Sequence, residues 1–230
     1  MLFRSLRKAV DIEPDFALAL GWLAHTITRR THLYVFDRAE RARCFEEAIA
    51  IARQGIALNP GNSVAYGALS RPLAVLGRFE EAVAAAETAT SLNPNLAMAQ
   101  GALGYVCAAS GQPERALTAL QRALRLNPID PARTTVHVLI SHALRALGDL
   151  VGSVHHARAA SEASVDSYMP LVHLAASLAL CDKLAEARTT AERARQLCPA
   201  LSAAYMEALV EFHHHSTRDP LIDGLRRAGL

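Results

Sequence analysis

The chain has 230 residues, 51% hydrophobic and 20% charged, so it carries enough apolar surface for a continuous core. A formal charge of +2 is too small to argue for a nucleic acid or an anionic membrane surface as partner. Aromatic residues make up only 5% and alanine is abundant, which suits closely packed helices better than a β-sandwich.

Cys44, Cys107, Cys181 and Cys198 form no CxxC pair and no Cys/His spacing typical of zinc. Reduced, buried thiols in a cytoplasmic protein are therefore expected. The opening Met1-Leu2-Phe3-Arg4-Ser5-Leu6-Arg7-Lys8 lacks the apolar stretch of a signal peptide. The best apolar run, Leu171 to Cys181, is interrupted by His173 and falls short of the roughly 18 residues of a membrane span.

Residues 1–13 read as the second helix of a helical pair whose first helix is missing, with Leu2, Leu6 and Ala9 in the places of Ala48, Ala52 and Gly55. A half-pair has no preceding neighbour to cover its apolar side. The expectation is a C-terminal part of something longer, and self-association through this half-pair is a further reading. The next unit, 14–60, opens with a helix from about Ala17 to Arg30 bearing Leu20, Leu23, Ala24 and Ile27 on one face. Its partner helix runs from Asp37 or Arg41 to Leu58, and an insertion of about 12 residues, centred on 31–43, holds Tyr34 and Phe36. A lengthened partner helix and a loop packed on one face both fit the insertion, with the helix favoured.

Asn59-Pro60, Asn93-Pro94 and Asn127-Pro128 follow one another at a spacing of 34 residues, and the residues between them match. Leu69 is answered by Leu103, Gly77 by Gly111, Ala82 by Ala116, Ala89 by Ala123 and Leu92 by Leu126. A fixed period in this range means stacked repeats, here 61–94 and 95–128. Gly ends each first helix in a left-handed conformation, and Pro after each second helix turns the chain back. The period slips by three through Ile129-Asp130-Pro131, then resumes over 129–165 with His137, Ile140, Ser141, Leu144, Gly148, Ser153, Ala157 and Ala160. Residues 166–199 repeat it with Leu171, Leu174, Ala175, Leu178, Ala187, Ala191, Ala194 and Pro199. In 200–230 one more helix shows Tyr205, Ala208, Leu209 and Phe212 inward; His213 to Thr217 break the pattern, and Asp219-Pro220 start a short last helix. These residues read as capping helices.

The 34-residue unit resembles the tetratricopeptide repeat, whose pattern is W-x2-L-G-x2-Y, then A-x3-F, then P. The likeness covers about Leu2 to Phe212 and is strongest between Pro60 and Pro128; no unit has Trp at the first slot, and Trp22 sits two residues past it. The resemblance implies an all-α fold, a right-handed superhelix (an α-solenoid) of about five helix-turn-helix repeats with capping helices. It also implies a non-catalytic scaffold that binds a protein or peptide in its concave groove. A narrower likeness is to the C-terminal tetratricopeptide regions of certain bacterial class III adenylate/guanylate cyclases and winged-helix regulators. In that reading the chain is the sensing part of a signalling protein whose catalytic or DNA-binding domain lies elsewhere.

First helices of successive units line the groove in this family. Counting along the units, outward groove positions are His25, Thr28, Arg71, Ala74, Tyr105, Ala108, His142 and Arg145. Mildly basic with one aromatic, the set suits an acidic or mixed extended peptide, and an ordinary solvated face fits it as well. The Lys and Asn clamp of chaperone-binding relatives is absent, since Gly67, Arg71, Gly101 and Tyr105 stand there. Pro72 inside a helix removes a hydrogen bond and predicts a kink absorbed by its neighbours. His213-His214-His215 and His155-His156 read as solvated helix surface, because adjacent helical residues diverge and no carboxylate or thiol stands at ligand spacing. No nucleophile elbow, phosphate loop or metal motif occurs, so neither enzyme activity nor a cofactor is expected.

Overall fold

The computed structural model describes residues 2–34, 37–130, 132–210 and 213–230, and all regular structure among them is helical. Thirteen helices follow in order: α1 (Leu2–Ile12), α2 (Ala17–Tyr34), α3 (Arg38–Leu58), α4 (Ser63–Val75), α5 (Phe79–Leu92), α6 (Ala97–Ala109), α7 (Pro113–Leu126), α8 (Arg133–Ala146), α9 (Leu150–Ala163), α10 (Tyr168–Leu180), α11 (Leu184–Leu197), α12 (Ala203–Leu209) and α13 (His215–Arg227). The chain divides into two compact units, Met1–Val106 and Cys107–Leu230, with the boundary inside α6.

Two local devices recur and explain the pairing. Where the first helix of a pair meets the second, Gly77, Gly111 and Gly148 take φ of 75°, 77° and 82°. At each of these turns the backbone closes a Schellman motif: Arg78 N–H to Leu73 O, Gln112 N–H to Cys107 O, and Asp149 N–H to Leu144 O. The pair α10–α11 closes in the same way, Lys183 N–H to Leu178 O, but with Asp182 at φ 57° in the glycine place. Where one pair hands on to the next, Asn59, Asn93 and Asn127 end α3, α5 and α7 in a more extended conformation that suits the residue before proline. The Asn59 and Asn93 side-chain oxygens then accept from Gly61 N–H (2.9 Å) and Asn95 N–H (3.1 Å), holding the tight return.

In the first unit α1 lays Phe3, Leu6 and Val10 against Leu23, Ile27 and Ala48 of α2 and α3. Phe3, not Leu2, faces inward; Leu2 is exposed. Both insertion-flanking helices are long, α2 with 18 residues and α3 with 21, and Asp37 caps α3 by accepting from Glu40 N–H at 2.8 Å. Phe36 lies outside the described residues, as does the side chain of Tyr34. Pro72 sits in the final turn of α4, and the helix continues past it to Val75.

The second unit stacks α8–α9 and α10–α11 on alanines at 157, 160, 187, 191 and 194. Its C-terminal end departs from the expectation. α12 is only seven residues long, with Met206 and Ala203 inward and Ala208 exposed; Phe212 lies outside the described residues. α13 begins at His215, ahead of Asp219-Pro220, because the His214 side chain accepts from Ser216 N–H and the proline is accommodated inside the helix. α13 does not continue the stack. It folds back along α10 and α8, burying Leu221, Ile222 and Leu225 with Leu171, Val172 and Ala176. At Gly224 the two backbones come so close that a Cβ would stand 2.5 Å from the Ala176 carbonyl oxygen.

Candidate functional site

The eight groove positions meet two different fates. In the first unit α2, α4 and the part of α6 before Cys107 supply His25, Thr28, Arg71, Ala74 and Tyr105. His25 is half-buried beside Trp22, ring centroids 5.7 Å apart. Thr28 and Ala74 are buried, not exposed as expected, and the Thr28 hydroxyl donates to Ala24 O, so it is spent within its own helix. Arg71 and Tyr105, one pair apart, come together: the Arg71 guanidinium carbon lies 4.2 Å from the centroid of the Tyr105 ring. A cation held over an aromatic face is attracted by the ring quadrupole.

Around this pair stand residues the motif count did not include. The His32 ring is 6.0 Å from Tyr105 and 5.3 Å from Phe45, and the Arg41 guanidinium lies 5.9 Å over Phe45. Burial pushes the Arg71 guanidinium below the usual arginine range; Tyr105 opposes this and nearby Arg29 adds to it. Burial likewise raises the Tyr105 phenol, against the pull of Arg71 and Arg41. Arg71 Nε is sealed from solvent with no hydrogen-bond acceptor, and among the described residues no carboxylate pairs with Arg29, Arg41 or Arg71. The patch is cationic, with an aromatic floor. Its missed members follow from the helix length: α2 runs one turn beyond Arg30, so the stripe through His25 and Thr28 continues to His32.

In the second unit His142 and Arg145 do not face solvent. They are 2% and 3% exposed, because α13 lies over them. His142 Nε2–H donates to the Thr217 carbonyl of α13 at 2.8 Å, and its ring is 5.7 Å from His173 and 5.3 Å from His213. Arg145 Nη1–H donates to Ser177 Oγ at 3.0 Å, and Nη2–H to His173 Nδ1 at 3.3 Å. Arg145 Nε is sealed from solvent without an acceptor. Below it, Ser153 Oγ–H donates to Ser141 O at 2.8 Å and lies 2.7 Å from Ser177 Oγ, which also contacts His173 O at 2.9 Å.

Burial pushes the Arg145 guanidinium down to about 9. His142 and His173 are held well below the usual histidine range, first by burial; His213 and Arg145 lower His142 further, and Arg145, His142 and His213 lower His173. His213, expected at a solvated helix end, is buried because its ring packs beside His142. Ala108 is buried as well. His156, also expected to be solvated, is half-buried with Nδ1 2.9 Å from His137 Nδ1, and its pKa falls to about 4, chiefly through desolvation. The four cysteines are free; Cys107 is buried and the other three partly exposed. Among the described residues no group of three or more potential ligands could hold a metal ion, and no helix is long and apolar enough to cross a membrane.

Repeated antiparallel helical pairs with Schellman turns and Asn-Pro returns make this an all-α solenoid of the helix-turn-helix class. Comparison with known families then fixes which one. The family described as Tetratricopeptide repeat matches residues 65–96 and 97–130, and the chain is a tetratricopeptide-repeat protein. Among solved structures, PilW, described as a widely conserved type IV pilus biogenesis factor, aligns over 90% of this chain and 89% of its own at 15% identity and TM-score 0.65. PilF of Pseudomonas aeruginosa aligns over 90% and 86% at 20% identity and TM-score 0.60. YrrB, described as a TPR protein with an unusual peptide-binding site, aligns over 89% and 97% at 20% identity and TM-score 0.56. At such identities the likeness is one of fold. No curated protein sequence matches the chain. These matches lend no support to the narrower likeness to cyclase tails and winged-helix regulators.

Proposed function

We propose that the chain is a non-catalytic scaffold whose first unit binds an acidic segment of a partner protein over Arg71 and Tyr105. The observation that carries this is the Arg71 guanidinium, stacked 4.2 Å above Tyr105 with its Nε sealed and unpaired. Arg29 and Arg41 stand beside it, with no carboxylate partner among the described residues. A carboxylate arriving here gains charge-assisted hydrogen bonds in a partly desolvated setting, where they are about twice as strong as neutral ones. The side chain is already held by the ring, so less rotamer entropy is lost on binding. The fold supports an interaction scaffold in general terms, and the solved relative YrrB is described as having a peptide-binding site.

The test is a selection of displayed peptides on the full wild-type chain, followed by fluorescence polarisation with the enriched sequences. Enrichment in Asp and Glu, affinity that falls with added salt, and at least tenfold weaker binding by Arg71→Glu are expected. Selected peptides without acidic enrichment, or binding that Arg71→Glu leaves intact, would overturn the reading.

A further inference from the structure

The groove face of the second unit is already filled, and by a ligand that satisfies it only in part. α13 covers the inner faces of α8 and α10 with Leu221, Ile222 and Leu225, and Gly224 brings its backbone onto that of Ala176. The apolar match is therefore close. The electrostatic match is not. Under α13 lies Arg145, 3% exposed, held among the described residues by a serine hydroxyl and a histidine nitrogen, with Nε unpartnered. No carboxylate reaches it among the described residues. α13 does carry two acids, but both point to solvent: Asp219 pairs with Arg218 and Asp223 with Arg227, the two carboxylate side chains 60% and 53% exposed. What α13 offers the cluster is the Thr217 carbonyl, taken by His142. A buried guanidinium without a counter-charge is costly, and a carboxylate on the covering helix removes that cost.

We infer that the α8–α10 face is a receptor for an amphipathic helix carrying one Asp or Glu within its apolar side, and that α13 is a stand-in that such a partner helix displaces. The second copy's α13 is the poorer occupant, since it lacks an inward acid in the same way. This inference rests on residues of the second unit and stands apart from the reading of Arg71.

The test uses the full chain and two fluorescein-labelled synthetic peptides spanning residues 213–230, one with the natural sequence and one carrying Thr217→Glu. The Thr217 side chain of α13 is fully buried, its hydroxyl donates to the His214 carbonyl and its own carbonyl meets His142, so a carboxylate at this position is buried beside the histidine–arginine cluster. Gly224→Val loosens α13 in the protein without touching α8, because any Cβ at that position collides with the Ala176 carbonyl. Should that variant not fold by circular dichroism, Leu225→Ser serves instead. The loosened chain is expected to bind the acidic peptide at least tenfold more tightly than the natural one, wild type to bind both at least tenfold more weakly, and Arg145→Gln in the loosened chain to abolish the preference. Equal affinity for the two peptides overturns the inference. So does a loosened, folded chain that binds neither, or one that only pairs with a second copy.

Discussion

Mild acid should loosen the second unit, and the amount follows from its buried histidines. His142 donates from Nε2 to Thr217, and His173 accepts at Nδ1 from Arg145. Protonating His173 removes that acceptor and sets a second cation against the guanidinium. The groups facing one another are His142 and Arg145 on α8, His173 on α10, and His213 just before α13; the α13 carboxylates face solvent. Both His142 and His173 are held well below 6.5 in the folded chain and return to about 6.5 when exposed. The unfolded form then binds more protons, so stability is present above about pH 6.5 and is lost as pH falls. Each such group that stays neutral in the folded chain can remove at most about 1.4 kcal/mol per pH unit below pH 6.5, so the pair removes on the order of a few kcal/mol by pH 5. That is a large share of the ~5–15 kcal/mol holding a typical domain together.

The assay is urea denaturation followed by circular dichroism at pH 7.5, 6.5, 5.5 and 5.0. The control is the double variant His142→Gln with His173→Asn, whose amide groups reproduce the Nε2 donor and the Nδ1 acceptor without titrating. Subtracting it removes the half-exposed His137–His156 pair from the comparison. A wild-type profile flat to within about 1 kcal/mol, or one identical to the double variant's, would refute the reasoning.

Two backbone and core changes follow from comparing repeats. Asp182 occupies at φ 57° the place that glycine holds in three other turns, so Asp182→Gly should raise stability by about 0.5–1 kcal/mol, read as a higher urea midpoint. Ser153 stands where the neighbouring repeats carry Ala82, Ala116 and Ala187, yet Ser153→Ala should cost about 1–2 kcal/mol, because Ser141 O and Ser177 Oγ lose their buried partner.

The pairing of helices was readable in the chain because its signals are local. Gly77, Gly111 and Gly148 mark left-handed turns, and Asn-Pro at a 34-residue spacing marks the returns. Arg71 and Tyr105 were legible as equivalent positions of neighbouring repeats, since each keeps its place in its own repeat, but Tyr105, expected to face outward, is buried under Arg71. The covering of His142 and Arg145 was not. A stripe of side chains on α8 looks the same whether water or another helix lies over it, and the helix that covers it begins some 70 residues later. One hint was present: Gly224 sits among Leu221, Ile222 and Leu225, and a small residue inside an apolar helix face invites close approach of another backbone. The start of α13 was misplaced because Asp219-Pro220 has the form of a helix opening, while the actual N-cap is supplied by His214.

The most direct measurement of the central claim is amide hydrogen exchange on the full chain with and without an acidic peptide selected on it. Binding over Arg71 and Tyr105 predicts added protection in peptides covering 63–75 and 97–106, abolished by Arg71→Glu. Protection that leaves those segments unchanged and appears elsewhere in the chain would contradict it.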